Sequence, residues 1–84
     1  MKYTVTWSDD AIAVLATIWM QSPHRNAVTA AQAEIDRLLA TDPRRHGAIV
    51  SEGLYAIDVH PLWAQFEVSD GDRIVNVVSV RELP

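Results

Sequence analysis

The spacing of apolar residues changes from a strand period to a helix period and back along this chain, and that order limits the possible folds. Apolar and polar residues alternate over residues 2–7, the pattern of a half-buried strand. Ser8 is placed to cap a first helix over residues 9–20, where apolar residues recur at helical spacing. For a second helix we interpret Ser22 as the N-cap and Pro23 as the first residue, and Asp42 before a proline ends it.

Three β-rich runs follow a basic loop at residues 44–47 and occupy the rest of the chain: residues 54–59, 62–68 and 73–80. Short connections at residues 60–61 and 69–72 join them, so we predict a meander. The last run is apolar on both faces, which suits a strand covered on both sides or one used for pairing. Residues 47–53 leave room for one more short strand that the sequence does not place.

This order predicts an α+β fold with an N-terminal strand, an antiparallel helix hairpin and a three- to four-stranded antiparallel meander. Both helices are expected on one face of an antiparallel sheet. A length of 84 residues gives one domain over residues 1–84. The chain has no Cys, and its three His residues are far apart in sequence and match no metal spacing. We therefore expect no metal and no cofactor, and a core held by packing alone.

The charge balance excludes several classes of function. Seven Lys and Arg residues against eleven Asp and Glu residues give a net charge of -4, which disfavours direct nucleic-acid binding through phosphate neutralisation. The apolar run over residues 11–20 is too short to cross a bilayer, for which about 20 residues are needed. The absence of Cys and of an export signal favours the cytoplasm. Self-association would add burial to so small a core, so a homodimer stays open.

Several short segments, in the same order as these predicted elements, carry a family resemblance: residues 3–8 followed by Ala11, then 30–39, 42–43, 52–53, 60–62, 66–68 and 72–75. Taken together they resemble the RelE/ParE superfamily, the toxins of bacterial type II toxin-antitoxin systems, which include plasmid stabilisation proteins. The resemblance covers nearly the whole chain. It implies a compact toxin that a cognate antitoxin wraps, and that either cleaves mRNA in the ribosome or inhibits DNA gyrase.

The mRNA-cleaving branch of that family uses Lys and Arg along its central strands, because cleavage through the 2′-hydroxyl needs cations on the phosphate and proton-transfer groups. At those strand positions this sequence has Tyr55, Ala56, Asp58, Trp63 and Gln65. We therefore favour a ParE-like toxin that binds its target, with DNA gyrase as the expected target, and lean against an enzyme. The alternatives are an inert RelE/ParE-fold binding or dimerisation module and, last, a ribosome-dependent mRNA endoribonuclease.

The candidate site residues fall into two sets. Tyr55, His60 and Arg81 are the catalytic candidates, and only Tyr55 and Arg81 lie near family positions. The candidates for binding a protein partner are the clustered cations, one later cation and an aromatic residue on the outer sheet face: Arg44, Arg45, Arg73 and Trp63. The alternative for Arg44 and Arg45 is that they are solvated side chains of a loop at the C-terminal end of the second helix, where the helix dipole mildly favours positive charge. Trp7 and Trp19 are predicted to be core residues.

Overall fold

The computed structural model describes residues 2–84 and confirms the predicted α+β order of strand, helices and strands. Its elements are β1 (Thr4–Trp7), α1 (Asp9–Gln21), α2 (Arg25–Thr41), α3 (Pro43–His46), β2 (Ala48–Ser51), β3 (Leu54–Val59), β4 (Leu62–Ser69) and β5 (Ile74–Glu82). Within these residues, no helix is long and apolar enough to cross a membrane.

The five strands form one mixed sheet in the order β1-β5-β4-β3-β2. Strands β2 to β5 are the predicted antiparallel meander, and β2 is the short strand that the sequence left unplaced. The expected wholly antiparallel sheet is corrected at β1, which pairs with β5 in parallel, with Val5 opposite Val75. Only tight hairpins force antiparallel pairing, and β1 is connected to the meander through the helices.

A β-bulge explains why the last strand is apolar at both even and odd positions. Gln65 on β4 pairs with Ser79 on β5, but the next residue, Phe66, pairs with Val77, so Val78 is an extra residue. The extra residue shifts the alternation by one, because side chains change face at every residue of a regular strand. Val75, Val77 and Val80 are therefore all buried despite their mixed spacing.

Helix α1 begins as predicted, but α2 does not. The Ser8 Oγ accepts a hydrogen bond from the Ala11 backbone N–H at 3.1 Å, which caps α1. The predicted cap of α2 at Ser22–Pro23 is wrong. Ser22 instead ends α1 by donating its backbone N–H to Ile18 O, and its Oγ accepts from the His24 N–H at 3.0 Å. This turn delays the start of α2 to Arg25.

The predicted stop of α2 before Pro43 is confirmed, because the helix ends at Thr41. The basic loop expected after it is corrected to a one-turn helix, α3, with Pro43 at its first position. Proline favours that position because its ring presets the helical φ and its missing N–H costs nothing there. The Gly47 backbone N–H donates to Pro43 O at 3.1 Å and closes the turn.

The core lies between the helices and one face of the sheet, as predicted. Its largest fully buried side chains come from α2, α3 and the strands: Phe66, Ile35, Leu39, Leu62, Val28, Val75, Val77 and Pro43. Each large apolar side chain buried in this way stabilises the fold by about 1.5 to 3 kcal/mol. Helix α1 contributes only Ala11 to the fully buried set. Most of α1 therefore stays available at the surface.

Candidate functional site

Arg44, the first candidate cation, is bound within the chain. Its two Nη atoms donate to the Asp70 carboxylate, each at 2.8 Å, and its Nε donates to the Tyr55 hydroxyl at 3.1 Å. Helix α3 supplies Arg44, β3 supplies Tyr55 and the β4–β5 turn supplies Asp70. The two hydrogen-bond partners raise the pKa of Arg44 further above its ordinary value. Arg44 therefore acts as a clamp between α3 and the sheet, and much of its charge is neutralised by Asp70.

Asp70 joins Arg44 to a second candidate, Arg73. The Tyr3 hydroxyl donates to Asp70 Oδ1 at 2.9 Å, and the Arg73 guanidinium lies 5.6 Å from the centre of the Tyr3 ring. Hydrogen bonds from Arg44 and Tyr3 hold the pKa of the Asp70 carboxyl below its ordinary value, and both arginine charges add to the effect. We call these residues with Tyr55 the Asp70 cluster. The structure thus brings Arg44 and Arg73 together around one carboxylate.

Arg45 lies next to this cluster in sequence but outside it. Its side chain is exposed on α3, and within residues 2–84 it makes no side-chain hydrogen bond or ion pair. It is therefore a candidate cation whose charge stays available to a partner. The sequence could not distinguish it from Arg44, because the two are adjacent and the Asp70 that binds Arg44 is 26 residues away.

Trp63 lies on the sheet face opposite the helices. On β4 it is paired with Asp58 on β3 and with Arg81 on β5, so the three residues form a row across the sheet. The Arg81 guanidinium lies 4.2 Å from the Trp63 ring centre, a cation–π contact. Beside Trp63 is a shallow depression of about 400 Å³, lined also by His46 and Asp58. This face offers one half-buried aromatic ring between opposite charges.

The three catalytic candidates lie apart. Tyr55 is paired with Phe66 and stacks on it at 5.6 Å, so it lies on the helix side of the sheet. Arg81 is on the other side of the sheet, beside Trp63. His60 lies in the exposed turn between β3 and β4, with Nε2 3.5 Å from the Pro84 carbonyl oxygen. The structure does not bring the three into one site.

The surface that the sequence reasoning missed is an apolar groove between α1 and α2. It has a volume of about 520 Å³ and is lined by eight residues: Ile12, Leu15, Ala16, Trp19, Met20, Val28, Thr29 and Gln32. Three of these are large apolar side chains exposed to solvent, Ile12 at 52%, Trp19 at 42% and Met20 at 66%. The sequence did contain a signal for this groove, because the apolar residues of α1 cover more of the helix than the single stripe that can face the core.

Trp19 was predicted to be a core residue, and that prediction is wrong. Its indole Nε1 donates to the Thr29 hydroxyl at 3.1 Å, and the Arg25 guanidinium lies 4.9 Å from its ring centre. Arg25 also donates to the backbone oxygens of Trp19 and Met20 at the end of α1. Trp19 is therefore held in place at the groove. Trp7, predicted with it, is half-buried and packs against the core.

Comparisons with known proteins give structural matches only. No protein-family model matches the sequence, and no curated protein matches it. The RelBE2 toxin-antitoxin complex of Mycobacterium tuberculosis contains a similar chain, with a TM-score of 0.79 and 22% identity over 98% of this chain and 99% of that one. The chromosomal ParDE system of P. aeruginosa gives a TM-score of 0.72 and 16% identity over 99% and 98%.

The chain has the RelE/ParE fold. A mutant of the E. coli toxin RelE in the free state is also similar, with a TM-score of 0.70 and 16% identity over 98% of this chain and 84% of that one. The expectation drawn from the resemblance is thereby confirmed for the fold. On this RelE/ParE fold, the chain has three notable surface regions: the α1–α2 groove, the Asp70 cluster and the row formed by Asp58, Trp63 and Arg81.

Proposed function

We propose that the chain is the toxin component of a type II toxin-antitoxin pair, neutralised by a cognate antitoxin and acting by binding a target rather than by cleaving RNA. DNA gyrase is the target that we favour, which implies a cytoplasmic location. The fold supports the first part of the proposal, because the similar structures include toxin-antitoxin complexes named RelBE2 and ParDE.

The α1–α2 groove is the observation that carries the proposal. Exposed apolar side chains on one continuous surface of a monomeric domain usually mark a protein interface. The groove lies between two helices, and an apolar groove of this kind can accept an amphipathic helix of a partner. Its Trp19 side chain is fixed by Thr29 and Arg25, so little side-chain entropy is lost when a partner binds. We assign this groove to the antitoxin.

The distribution of charge favours target binding over RNA cleavage. Strands β3 and β4 carry no Lys or Arg, and the net charge is -4. A phosphodiester cleavage site needs cations and proton-transfer groups within hydrogen-bond reach of one phosphate. Tyr55 and Arg81 are on opposite sides of the sheet, and Arg44 is bound to Asp70. A toxin that works by binding needs no such constellation.

The first experiment is tightly induced expression in a bacterial host, scored for growth with and without the short gene next to that of the chain. Growth arrest that the neighbouring gene relieves is the expected result. Purified protein is then added to DNA gyrase in a supercoiling assay and to ribosome-bound mRNA in a cleavage assay. We expect inhibited supercoiling and intact mRNA. Normal growth with folded protein present would refute an active toxin.

The second experiment tests the groove with two charge substitutions on the same helix. Met20→Glu places a carboxylate in the groove, whereas Val14→Glu places one on α1 outside it, and both positions are exposed, at 66% and 44%. We expect Met20→Glu to weaken antitoxin binding by at least about tenfold, because a charge must be desolvated against apolar groups. Val14→Glu should bind normally. Equal binding by both variants would exclude the groove.

An inert binding or dimerisation module is the second candidate. Neutralisation of Arg44 by Asp70 favours it, because this removes one of the few cations that could contact an anionic target. That candidate predicts antitoxin binding without growth arrest. The mRNA-cleaving enzyme ranks last, and cleavage of ribosome-bound mRNA that Arg81→Ala abolishes would reverse that order.

A further inference from the structure

Strand β2 is an uncovered edge of the sheet. Within residues 2–84 it pairs only with β3, and all four of its residues are exposed, including Ile49 at 76% and Val50 at 48%. The opposite edge, β1, differs. Helix α2 packs against β1, and the Tyr3 backbone N–H beside it donates to Ala40 O on α2 at 2.7 Å. The sheet therefore has one free edge, and that edge is apolar.

The sequence of β2 lacks the side chains that usually protect an edge strand. The free N–H and C=O groups of an edge strand can pair with another chain, so natural edge strands often carry Lys, an inward-pointing charge or Pro to block that pairing. Residues 48–51 are Ala, Ile, Val and Ser. The strand is short, and its register with β3 shifts between Ile49 and Ser51. These features limit the contact to a few residues, which suits a closed pair of strands rather than a growing fibre.

The charges on either side of β2 make it complementary to itself. Arg45 and His46 precede the strand, and Glu52 follows it. In an antiparallel pair related by a two-fold axis, the start of each strand meets the end of the other. Centring the axis at Ile49, so that each Ile49 lies opposite its copy, places Ser51 of each copy opposite Gly47 of the other and Glu52 next to its His46 and Arg45. A second copy of the chain thus supplies the matching charge at both ends.

We propose that two copies of this chain associate through β2, forming a two-fold dimer with one continuous sheet that takes five strands from each copy. The arginine available to meet Glu52 of the second copy is Arg45, because Arg44 is bound to Asp70. One short strand pair buries less than the roughly 800 Å² per partner of a standard stable interface, so the dimer is weak and concentration-dependent. The proposal is independent of the toxin assignment, because it requires neither a target nor an antitoxin.

The test is sedimentation equilibrium of the full chain alone over the micromolar to millimolar range. We expect the apparent mass to rise with concentration from 9.4 kDa toward twice that value. Ile49→Lys should weaken the dimer by at least about tenfold, since it places a charge on the shared edge. Ile12→Lys is the matched control, because Ile12 is also exposed but lies on α1, and it should dimerise like the native chain.

The charges are tested separately by Glu52→Arg, which we expect to weaken the dimer, and by its combination with Arg45→Glu, which should restore it. Circular dichroism of each variant checks the fold. A chain that stays monomeric up to millimolar concentration would overturn the proposal. So would a dimer that Ile12→Lys abolishes and Ile49→Lys leaves intact, because the copies would then meet through α1. A monomer whose antitoxin complex is weakened by Ile49→Lys would assign β2 to the antitoxin instead.

Discussion

Gly47 connects α3 to β2 at a point where there is no room for a side chain. Its backbone is extended, with φ -105° and ψ 156°, so any residue could adopt its conformation. A Cβ at Gly47 would lie 2.5 Å from Phe66 Cζ and 3.2 Å from the Pro43 carbonyl oxygen. Favourable carbon–carbon contacts are about 3.5 to 4.0 Å, so Gly47→Ala requires the Phe66 ring to move by about 1 Å.

Phe66 cannot move freely. Its ring is fully buried and stacks on Tyr55, whose hydroxyl accepts a hydrogen bond from Arg44. Overpacking of a rigid core costs about 1 to 3 kcal/mol. In a domain of this size each kcal/mol lowers Tm by about 4 to 8 °C, so we expect Gly47→Ala to lower Tm by roughly 10 °C. Thermal unfolding followed by circular dichroism measures the change.

Two controls isolate the steric cause. A Cβ at Gly71 would meet no atom within 4 Å, so Gly71→Ala should change the free energy of unfolding by no more than about 0.5 kcal/mol. Phe66→Leu leaves a smaller side chain opposite residue 47 and so relieves the clash. The loss of unfolding free energy in the double variant Gly47→Ala, Phe66→Leu should therefore be about 1 kcal/mol smaller than the sum of the losses in the two single variants. A Gly47→Ala variant as stable as the native chain, or strictly additive effects, would refute this reasoning.

Three further predictions use urea denaturation. The pKa of Asp70 is lower in the folded protein than its ordinary value of 3.8, so the ionised carboxylate stabilises the fold at pH values above 3.8. This stabilisation is lost as the pH falls through the lower folded pKa, and Asp70→Asn should therefore flatten the pH dependence of stability below about pH 4. Ile35→Ala should cost about 2 to 5 kcal/mol because Ile35 is fully buried, while Ile12→Ala, at 52% exposure, should stay within about 0.5 kcal/mol. Gly53→Ala should cost about 1 kcal/mol, because φ there is 77°. An unchanged unfolding midpoint in the Ile35 or Gly53 variant would contradict its assigned cause.

Local hydrogen bonds explain which helix boundaries the sequence predicted. Ser8 could only cap α1, since a strand precedes it, and Asp42 had to end α2 because a proline follows. Ser22 had two options, a cap for α2 or a turn that ends α1. The structure has the second, and Arg25 is consistent with it, because its guanidinium donates to the Trp19 and Met20 carbonyls at the end of α1. That contact spans five to six residues and leaves no periodic signal.

Pairings distant in sequence explain most of the remaining differences in the sheet and the site. The parallel placement of β1 beside β5 joins Val5 to Val75, and no local pattern specifies that partner. In the sequence, the bulge at Val78 shows only as apolar residues at both even and odd positions of the last strand. A strand buried on both faces would give the same pattern. Likewise Arg44 was found as a candidate cation, but Asp70, which neutralises it, lies beyond three intervening strands.

The wrong prediction for Trp19 and the discovery of the groove have the same physical origin. A helix with apolar residues around most of its circumference is usually buried on all sides. Here the helices form one layer on one face of a sheet, so α1 can turn only one stripe inward, and Ala11 alone is fully buried. Four large apolar side chains of α1, Ile12, Val14, Trp19 and Met20, stay between 42% and 66% exposed, and all but Val14 line the groove. An apolar surplus that a two-layer domain cannot bury favours a second chain as its cover, and for this reason we assign the α1–α2 groove to the antitoxin.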